Sequence, residues 1–225
     1  MSGPVLSDEK QGRRERIAMR VARELPEGSL VNLGIGLPTL VANYLPQDKG
    51  ILLQSENGFI GLGPEPPKSR ADKDLVNAGG GLVTIVPGGC CFDSAMSFSI
   101  IRGGHLDVTV LGGLEVDEDG NLANYLIPGM MVAGMGGAMD LVVGAKKVIV
   151  AMEHVNKFGQ PKIVKRCTLP LTAREEVDVI VTDLAFIRVT HSGLLLEEIA
   201  EDTTVEEVLE KTAAKLTVLP KLKEF

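Results

Sequence analysis

Short apolar runs that do not alternate with polar residues recur along this chain of 225 residues. Runs of this kind at 30–33, 50–54 and 147–152 are typical of strands that are buried on both faces of a sheet. Between them lie stretches with helical periodicity, such as the apolar stripe of Ile17 and Val21. Strands that alternate with helices in this way predict an α/β fold.

Composition limits the kind of protein this can be. With 44% apolar residues and 26 glycines, residues 1–225 are expected to form a single domain with a substantial core. The net charge of −7 argues against a partner that is a nucleic acid or an anionic membrane. Because the N-terminus lacks an apolar signal segment and the uncharged runs are broken by Gly and Pro, we expect a cytoplasmic protein with no membrane partner.

A single carboxylate, Glu56, follows the predicted strand 50–54 inside a Ser-Glu-Asn-Gly turn. In open α/β sheets, ligands bind beyond the carboxyl ends of the strands, so Glu56 would lie where chemistry is usually carried out. Taken alone, these four residues are equally compatible with a solvated glutamate in an Asn-Gly turn.

Two glycine-rich segments precede predicted helices. The segment 34–38 precedes a helix over 39–45, where backbone amides can contact anions, although turn geometry explains its glycines equally well. It is not a dinucleotide fingerprint, because Thr39 replaces the third glycine. The segment 134–141 precedes a helix over 138–144, and its N–H groups could stabilise a developing negative charge.

Other candidate motifs are expected to be structural. The acidic segment 117–121 lacks the ligand spacing of a calcium loop and predicts a hairpin turn. The three cysteines do not form the pattern of a disulfide framework or a zinc site. The three histidines are far apart in sequence, without a nucleophile–base pattern, so each is expected to be a hydrogen-bonded structural residue: His105, His154 and His191.

Further elements are predicted from turn signals and periodicity. We expect a surface loop over 61–74, a strand over 82–86 that stops at Pro87, and a helix over 92–102. The C-terminal third is expected to hold strands at 178–182 and 185–190 and a helix over 205–214.

The nine residues Leu53-Gln54-Ser55-Glu56-Asn57-Gly58-Phe59-Ile60-Gly61 resemble the active-site signature of the family I CoA-transferases. Further segments resemble blocks of the same family in family order, at 32–38, 101–107, 120–124, 134–141 and 167–172. The resemblance covers nearly the whole chain and is closest to the B (β) subunit of 3-oxoacid and butyrate–acetoacetate CoA-transferases. Tyr125 and the segment 89–92 depart from the family pattern and leave the choice of acyl group open.

The resemblance implies a fold and a set of site residues. The fold would be an open, largely parallel α/β sheet flanked by helices. Glu56 would be the nucleophile that carries CoA as a thioester, and Gly137, or its neighbour Gly136, would donate a backbone amide to the oxyanion. The residues predicted to bind substrate or CoA are Asn57, Gly34, Gly36 and Gly136.

The resemblance also implies an activity and partners. CoA would pass between short-chain acyl-CoA and carboxylic acids of the acetoacetate, butyrate, acetate and succinate class, by a ping-pong mechanism. No metal or tightly bound cofactor is expected, coenzyme A being a substrate, and the protein partner would be a different α subunit in an α2β2 assembly. Three alternatives remain: the β subunit of a 3-oxoadipate CoA-transferase, a sugar-phosphate isomerase, and a non-catalytic ligand-binding or scaffold domain of the same fold.

Overall fold

Strands and short helices alternate along the chain in the computed structural model, which describes residues 8–129 and 134–225. The helices are α1 (Asp8–Glu24), α2 (Ser94–Arg102), α3 (Ala138–Gly144) and α4 (Val205–Glu210), with 3-10 helices at Pro38–Tyr44, Gln47–Lys49 and Lys68–Arg70. The strands are β1 (Leu30–Leu33), β2 (Leu52–Ser55), β3 (Phe59–Leu62), β4 (Ile85–Cys91), β5 (Val108–Leu111), β6 (Glu115–Asp117), β7 (Leu122–Ala123), β8 (Val148–Ala151), β9 (Ile163–Val164), β10 (Val179–Val181), β11 (Ala185–Thr190), β12 (Gly193–Ile199) and β13 (Leu216–Glu224).

Ten of these strands form one sheet in the order β13-β12-β11-β10-β8-β5-β1-β2-β3-β4. The five central strands, from β10 to β2, run parallel to one another. Antiparallel neighbours extend the sheet on both sides, and β7, β6 and β9 form a separate three-stranded sheet. The predicted α/β fold with a largely parallel sheet flanked by helices is therefore confirmed.

The central strands are apolar without alternation because both faces of the sheet are covered. On one face, α1 and the 3-10 helix at Pro38–Tyr44 enclose a buried core, and α2, α3 and α4 enclose a second core on the other face. Along β8, Ile149 belongs to the first core, whereas Val148 and Val150 belong to the second. Strands buried in this way have no solvent-facing positions for polar residues.

The strand order creates a crevice near the middle of the sheet. From β1 the chain moves to β2 on one side, and it later returns to place β5 on the other side of β1. Loops that leave the carboxyl ends of β1, β2 and β5 therefore diverge around a shared opening. Open α/β sheets bind their ligands at such a switch point.

Two of the predicted elements near this opening were wrong. The predicted loop over 61–74 begins too early, because β3 occupies Phe59–Leu62 and pairs with β2. The strand predicted over 82–86 is displaced along the chain, since β4 begins at Ile85 and continues through Pro87 to Cys91. β4 is the last strand of the sheet and pairs with β3 alone among the described strands, and an edge strand can accommodate a proline that lacks an N–H.

Most of the other predicted elements are present. Asp93 caps α2, its Oδ1 accepting a 2.8 Å hydrogen bond from Met96 N, and β6 and β7 form the hairpin predicted around 117–121. The helix predicted over 39–45 is a 3-10 helix, and α4 ends at Glu210, earlier than predicted. Within the described residues, no helix is long and apolar enough to cross a membrane.

Candidate active site

Glu56 lies in the three-residue loop of the hairpin that joins β2 to β3. The Gly58 N–H donates a 3.0 Å hydrogen bond to the Ser55 carbonyl and closes the turn. Gly58 has a φ of 129° and packs directly against the backbone of Phe92, so a side chain at this position would be both strained and obstructed. The turn is thereby held in one shape, which fixes the direction in which Glu56 leaves the sheet.

Asn57 braces the same turn. Its Oδ1 accepts a 2.6 Å hydrogen bond from the Ser55 hydroxyl, and its Nδ2 donates a 2.7 Å bond to the Val76 carbonyl. These bonds link the hairpin to the segment that carries Ala78, a residue beside Glu56 in the site. The structure therefore gives Asn57 a role in positioning the turn.

Two cavities meet at Glu56, with volumes of about 550 Å³ and about 310 Å³. The larger one, called here the catalytic cavity, is walled by loops that follow β1, β2 and β5 and by the segment that leads into α3. The smaller one lies between β1, β2 and the 3-10 helix at Pro38–Tyr44. Glu56, Ile35 and Ala78 line both cavities, so a group bound on either side has access to the carboxylate.

The environment of Glu56 changes its acidity in two opposing ways. Burial raises the pKa of Glu56 above its ordinary value, while the Gly137 backbone N–H and the Asn32 side-chain amide hydrogen-bond to the carboxylate and lower it. Burial is the larger effect, so the pKa is raised overall. A carboxylate stripped of most of its water but still ionisable is suited to nucleophilic attack.

The glycines of the segment 134–141 approach Glu56 closely. A Cβ built on Gly137 would lie 3.4 Å from Glu56 Oε1 and 3.1 Å from the Phe98 ring. A Cβ on Gly136 would lie 3.7 Å from the same oxygen, and this residue has a φ of 57°. Both glycines therefore bring backbone close to the carboxylate; a side chain on Gly137 would be crowded by the Phe98 ring, and one on Gly136 would be strained by its positive φ.

The other predicted site residues divide into two groups. Gly34 and Gly136 line the catalytic cavity together with Glu56 and Gly137. Asn57 and Gly36 are not among the residues that line either cavity at Glu56. Gly36 has a φ of 92° and its carbonyl accepts a 2.7 Å bond from the Thr39 hydroxyl, which supports the turn interpretation of this glycine.

A row of buried polar side chains runs beneath the site and was not predicted. Asn32 on β1 donates a 2.7 Å hydrogen bond to Gln54 Oε1 on β2, and Gln54 Nε2 donates a 3.0 Å bond to Ser97 Oγ on α2. Thr109 on β5 lies opposite Asn32. Asn32 Oδ1 and Thr109 Oγ1 are buried and have no hydrogen-bond partner within the described ranges. The sequence feature that could have identified these residues is the interruption of two largely apolar strands by Asn32 and Gln54.

The remaining candidate residues lie elsewhere. His154 is fully buried, and its ring nitrogens lie 2.9 Å from the hydroxyls of Thr182 and Thr212, in agreement with the structural role predicted for it. Tyr125 lines the catalytic cavity, whereas Cys90 and Cys91 are exposed on β4. Among the residues that the structure describes, there is no cluster of His, Cys, Asp and Glu that could hold a metal ion.

Comparison with known proteins decides the family. The profile of the coenzyme A transferase family matches residues 14–211. This chain belongs to that family. The β subunit of the acetate CoA-transferase from Escherichia coli K12 is 58% identical over 91% of this chain and 94% of its own length. The B subunit of a probable succinyl-CoA:3-ketoacid CoA-transferase from Bacillus subtilis is 52% identical over 91% of this chain and 95% of its own length.

Solved structures of more distant proteins share the fold. An acyl-CoA transferase from Escherichia coli O157:H7 superposes over 100% of this chain with a TM-score of 0.75 and 22% identity, and this chain spans 44% of that longer one. Glutaconate CoA-transferase from Acidaminococcus fermentans superposes over 94% of this chain and 88% of its own, with a TM-score of 0.69 and 18% identity. The family match and the two relatives named as β or B subunits confirm the resemblance seen in the sequence to the B (β) subunits of CoA-transferases.

Proposed function

We propose that this coenzyme A transferase chain is a catalytic subunit in which Glu56 carries CoA as a glutamyl thioester. The observation that carries the proposal is the position of Glu56, a half-buried carboxylate at the meeting point of two cavities, against the Gly137 backbone N–H. A nucleophile needs room for a donor and an acceptor in turn, and a hydrogen-bond donor for the oxyanion. The arrangement around Glu56 offers both.

The reaction proceeds in two reversible halves. The Glu56 carboxylate attacks the acyl-CoA carbonyl, the C–S bond breaks, and CoA thiolate leaves behind a mixed anhydride. The thiolate then attacks the glutamyl carbonyl and expels the first acid as its carboxylate, which leaves the glutamyl-CoA thioester. A second carboxylate repeats these steps in reverse and departs as acyl-CoA.

The chain's own groups support each step. The Gly137 N–H faces the Glu56 carboxyl, where negative charge develops when the glutamyl carbonyl is attacked. Because the enzyme thioester and the substrate thioester are chemically alike, transfer needs no additional energy source. The anhydride and the thioester both hydrolyse in water, so burial of Glu56 protects them. No cofactor is proposed besides coenzyme A as substrate.

The proposed substrates are short acyl groups of the acetate, acetoacetate, butyrate and succinate class. Two of the similar proteins are named for acetate and for succinyl-CoA with a 3-ketoacid. Measuring kcat/KM for a panel of acceptor acids distinguishes these substrates, and a best acceptor such as 3-oxoadipate would overturn the proposed class. Double-reciprocal plots of initial rate against donor concentration, measured at several acceptor concentrations, should give parallel lines, as expected for a ping-pong mechanism.

The proposed protein partner is an α subunit, in an α2β2 assembly. The similar proteins are named as B or β subunits, which supports a second kind of chain. Two-fold closure is the commonest symmetry for such assemblies. A cleft between two α/β subunits would also exclude water from Glu56.

A transfer assay with paired variants tests the proposal. In the complex with the α subunit, Glu56→Gln should abolish CoA transfer from acetoacetyl-CoA to acetate, because an amide cannot form the anhydride. Glu27→Gln changes an exposed glutamate between α1 and β1 in the same way and should retain full activity. Full activity of Glu56→Gln would overturn the proposed role of Glu56.

A further inference from the structure

A third cavity, of about 330 Å³, adjoins the catalytic cavity and shares a wall with it. Ile35 and the residues 112–114 line both spaces. Three cationic side chains line the third cavity: Lys10 and Arg14 of α1, and Lys162 just before β9. By contrast, neither of the two cavities at Glu56 is lined by a described lysine or arginine. Positive charge beside the site is thus concentrated in one place, on a chain with a net charge of −7.

Two of these cations form no ion pair within the described residues. Arg14 and Lys162 form no ion pair and no side-chain hydrogen bond with any residue in 8–129 or 134–225. Lys10 lies 3.8 Å from Glu153, the single acidic residue that lines this cavity. In a neighbouring cavity of about 680 Å³, three of the cations, Arg13, Arg16 and Lys211, are each paired with an acidic residue.

Lys162 is held so that its charge remains partly desolvated. Its backbone N–H donates a 3.1 Å bond to the His154 carbonyl, and its own carbonyl accepts a 3.0 Å bond from Val116 N. Burial lowers the pKa of Lys162 to about 8, although the charges of Glu153 and Asp183 act to raise it. A partly desolvated ammonium is stabilised by nearby negative charge, and a bound anion would add to the effect of Glu153 and Asp183.

The anion must carry several charges and be able to reach Glu56. Coenzyme A has a diphosphate and a 3′-phosphate at the end of the molecule opposite its thiol. An arginine binds phosphate through two parallel hydrogen bonds, and a lysine binds it as a point charge. We propose that Arg14 and Lys162 bind the phosphates of coenzyme A in this third cavity, while its thiol end reaches Glu56 through the catalytic cavity. This inference rests on the proposed function.

Comparing two acyl donors, one with phosphates and one without, distinguishes a defect in phosphate binding from a defect in the chemical steps. In the complex with the α subunit, Lys162→Met and Arg14→Gln should each lower kcat/KM for acetoacetyl-CoA by roughly tenfold to a hundredfold, the usual effect of losing a charge-assisted hydrogen bond. The same variants should react normally with acetoacetyl-pantetheine, which has no phosphate. Lys165→Met, at an exposed lysine three residues further on, is the matched control and should behave as wild type with both donors. Equal losses with both donors, or none with acetoacetyl-CoA, would overturn the inference.

A binding measurement keeps this inference separate from the proposed function. If the wild-type complex transfers CoA from neither donor, the proposed function fails. Calorimetric titration with adenosine 3′,5′-bisphosphate then still tests the cavity, because this probe has phosphates but no thiol. We expect Lys162→Met to weaken its binding by roughly tenfold or more, whereas Lys165→Met should not. No binding to wild type, or equal affinity for wild type and Lys162→Met, would contradict the assignment.

Discussion

At Glu56, burial and hydrogen bonding act on the pKa in opposite directions. Burial makes the carboxylate a better nucleophile and also makes it easier to protonate, which would remove the nucleophile. The Gly137 N–H and the Asn32 amide favour the ionised form. Asn32, a buried polar residue on a largely apolar strand, thus acts together with Gly137 to favour the ionised form of the proposed nucleophile.

Asn32→Leu should move the acidic limb of the pH–rate profile to higher pH. The substitution removes an interaction that lowers the pKa of Glu56, so that pKa rises and the carboxylate forms only at higher pH. It should also destabilise the fold by about 1–3 kcal/mol, because Gln54 Oε1 loses its donor. The check is kcat/KM for acetoacetyl-CoA measured across the acidic and neutral pH range.

Thr109→Val is the matched control for Asn32→Leu. Thr109 is a buried polar residue opposite Asn32 on β5, and its hydroxyl has no hydrogen-bond partner in the described part of the chain. The variant should keep the wild-type pH profile and lose no stability. An unshifted profile for Asn32→Leu would show that Asn32 does not act on Glu56.

Gly137→Val should lower kcat by roughly a hundredfold to a thousandfold, the usual effect of losing one oxyanion donor. The added side chain would press on the Phe98 ring and on Glu56 Oε1, at 3.1 Å and 3.4 Å from its Cβ, and displace the amide. Gly12→Val, where a Cβ meets nothing within 4 Å, is the control and should be fully active. Near-normal kcat in Gly137→Val would place the oxyanion donor elsewhere.

At the scale of elements, His154 connects the segments that follow β8 and β10 to the residues that follow α4. Its Nδ1 lies 2.9 Å from the Thr182 hydroxyl, just after β10, and its Nε2 lies 2.9 Å from the Thr212 hydroxyl, after α4. Burial lowers the pKa of His154 to about 4. The imidazole is therefore neutral in the folded protein at neutral pH.

The stability of the fold should decrease as the pH is lowered, and His154 should account for much of this decrease. A pKa of about 4 in the folded state, below the unfolded value of about 6.5, means that protons bind the unfolded chain more tightly. The resulting stability is present above about pH 6.5 and is lost as pH falls towards 4, about 2 kcal/mol of it between pH 7 and pH 5. Urea unfolding at the two pH values measures this loss.

The comparison for this prediction is His154→Gln, which keeps polar atoms but does not titrate. The variant should be less stable than wild type at pH 7, and the difference between them should shrink by about 2 kcal/mol at pH 5. A difference that is the same at both pH values would show that His154 does not account for the acid sensitivity.

Sequence patterns predict the central elements well and the peripheral ones poorly. The core strands β1, β2, β5, β8 and β10 are short, largely apolar runs of the kind that is typical of a sheet buried on both faces. β12 was not predicted, because its Leu-Leu-Leu-Glu-Glu run consists of good helix formers and pairing with β11 and β13 decides its structure. β4 and β13 contain prolines that their edge positions accommodate.

The candidate site divides in the same way. Glu56 and Gly137 were singled out by the family resemblance, and the structure brings them together at the catalytic cavity. Asn32 and Thr109 could not be placed beneath Glu56 without the register between β1 and β5. Arg14 and Lys162 are far apart in sequence and meet in one cavity only through tertiary packing.

At the scale of the whole molecule, this chain is expected to be inactive without its proposed α subunit. The catalytic cavity is open, and the intermediates need a site closed to water. The purified chain should form no glutamyl-CoA and transfer no CoA, and both should appear when the α subunit is added. Mass spectrometry detects the glutamyl-CoA, and an assay of CoA transfer from acetoacetyl-CoA to acetate measures turnover. Full turnover by this chain alone, unchanged on addition of the partner, would show that its site is self-contained.

The covalent state of Glu56 is the most direct test of the central claim. The complex is mixed with acetoacetyl-CoA without an acceptor acid. The mass of the intact chain is then measured, followed by the masses of its peptides after digestion. The mass should increase by that of one CoA less one water, located on the peptide that contains Glu56, and addition of acetate should remove it. A complex that transfers CoA at full rate with no such adduct, or with the adduct on another residue, would contradict the account.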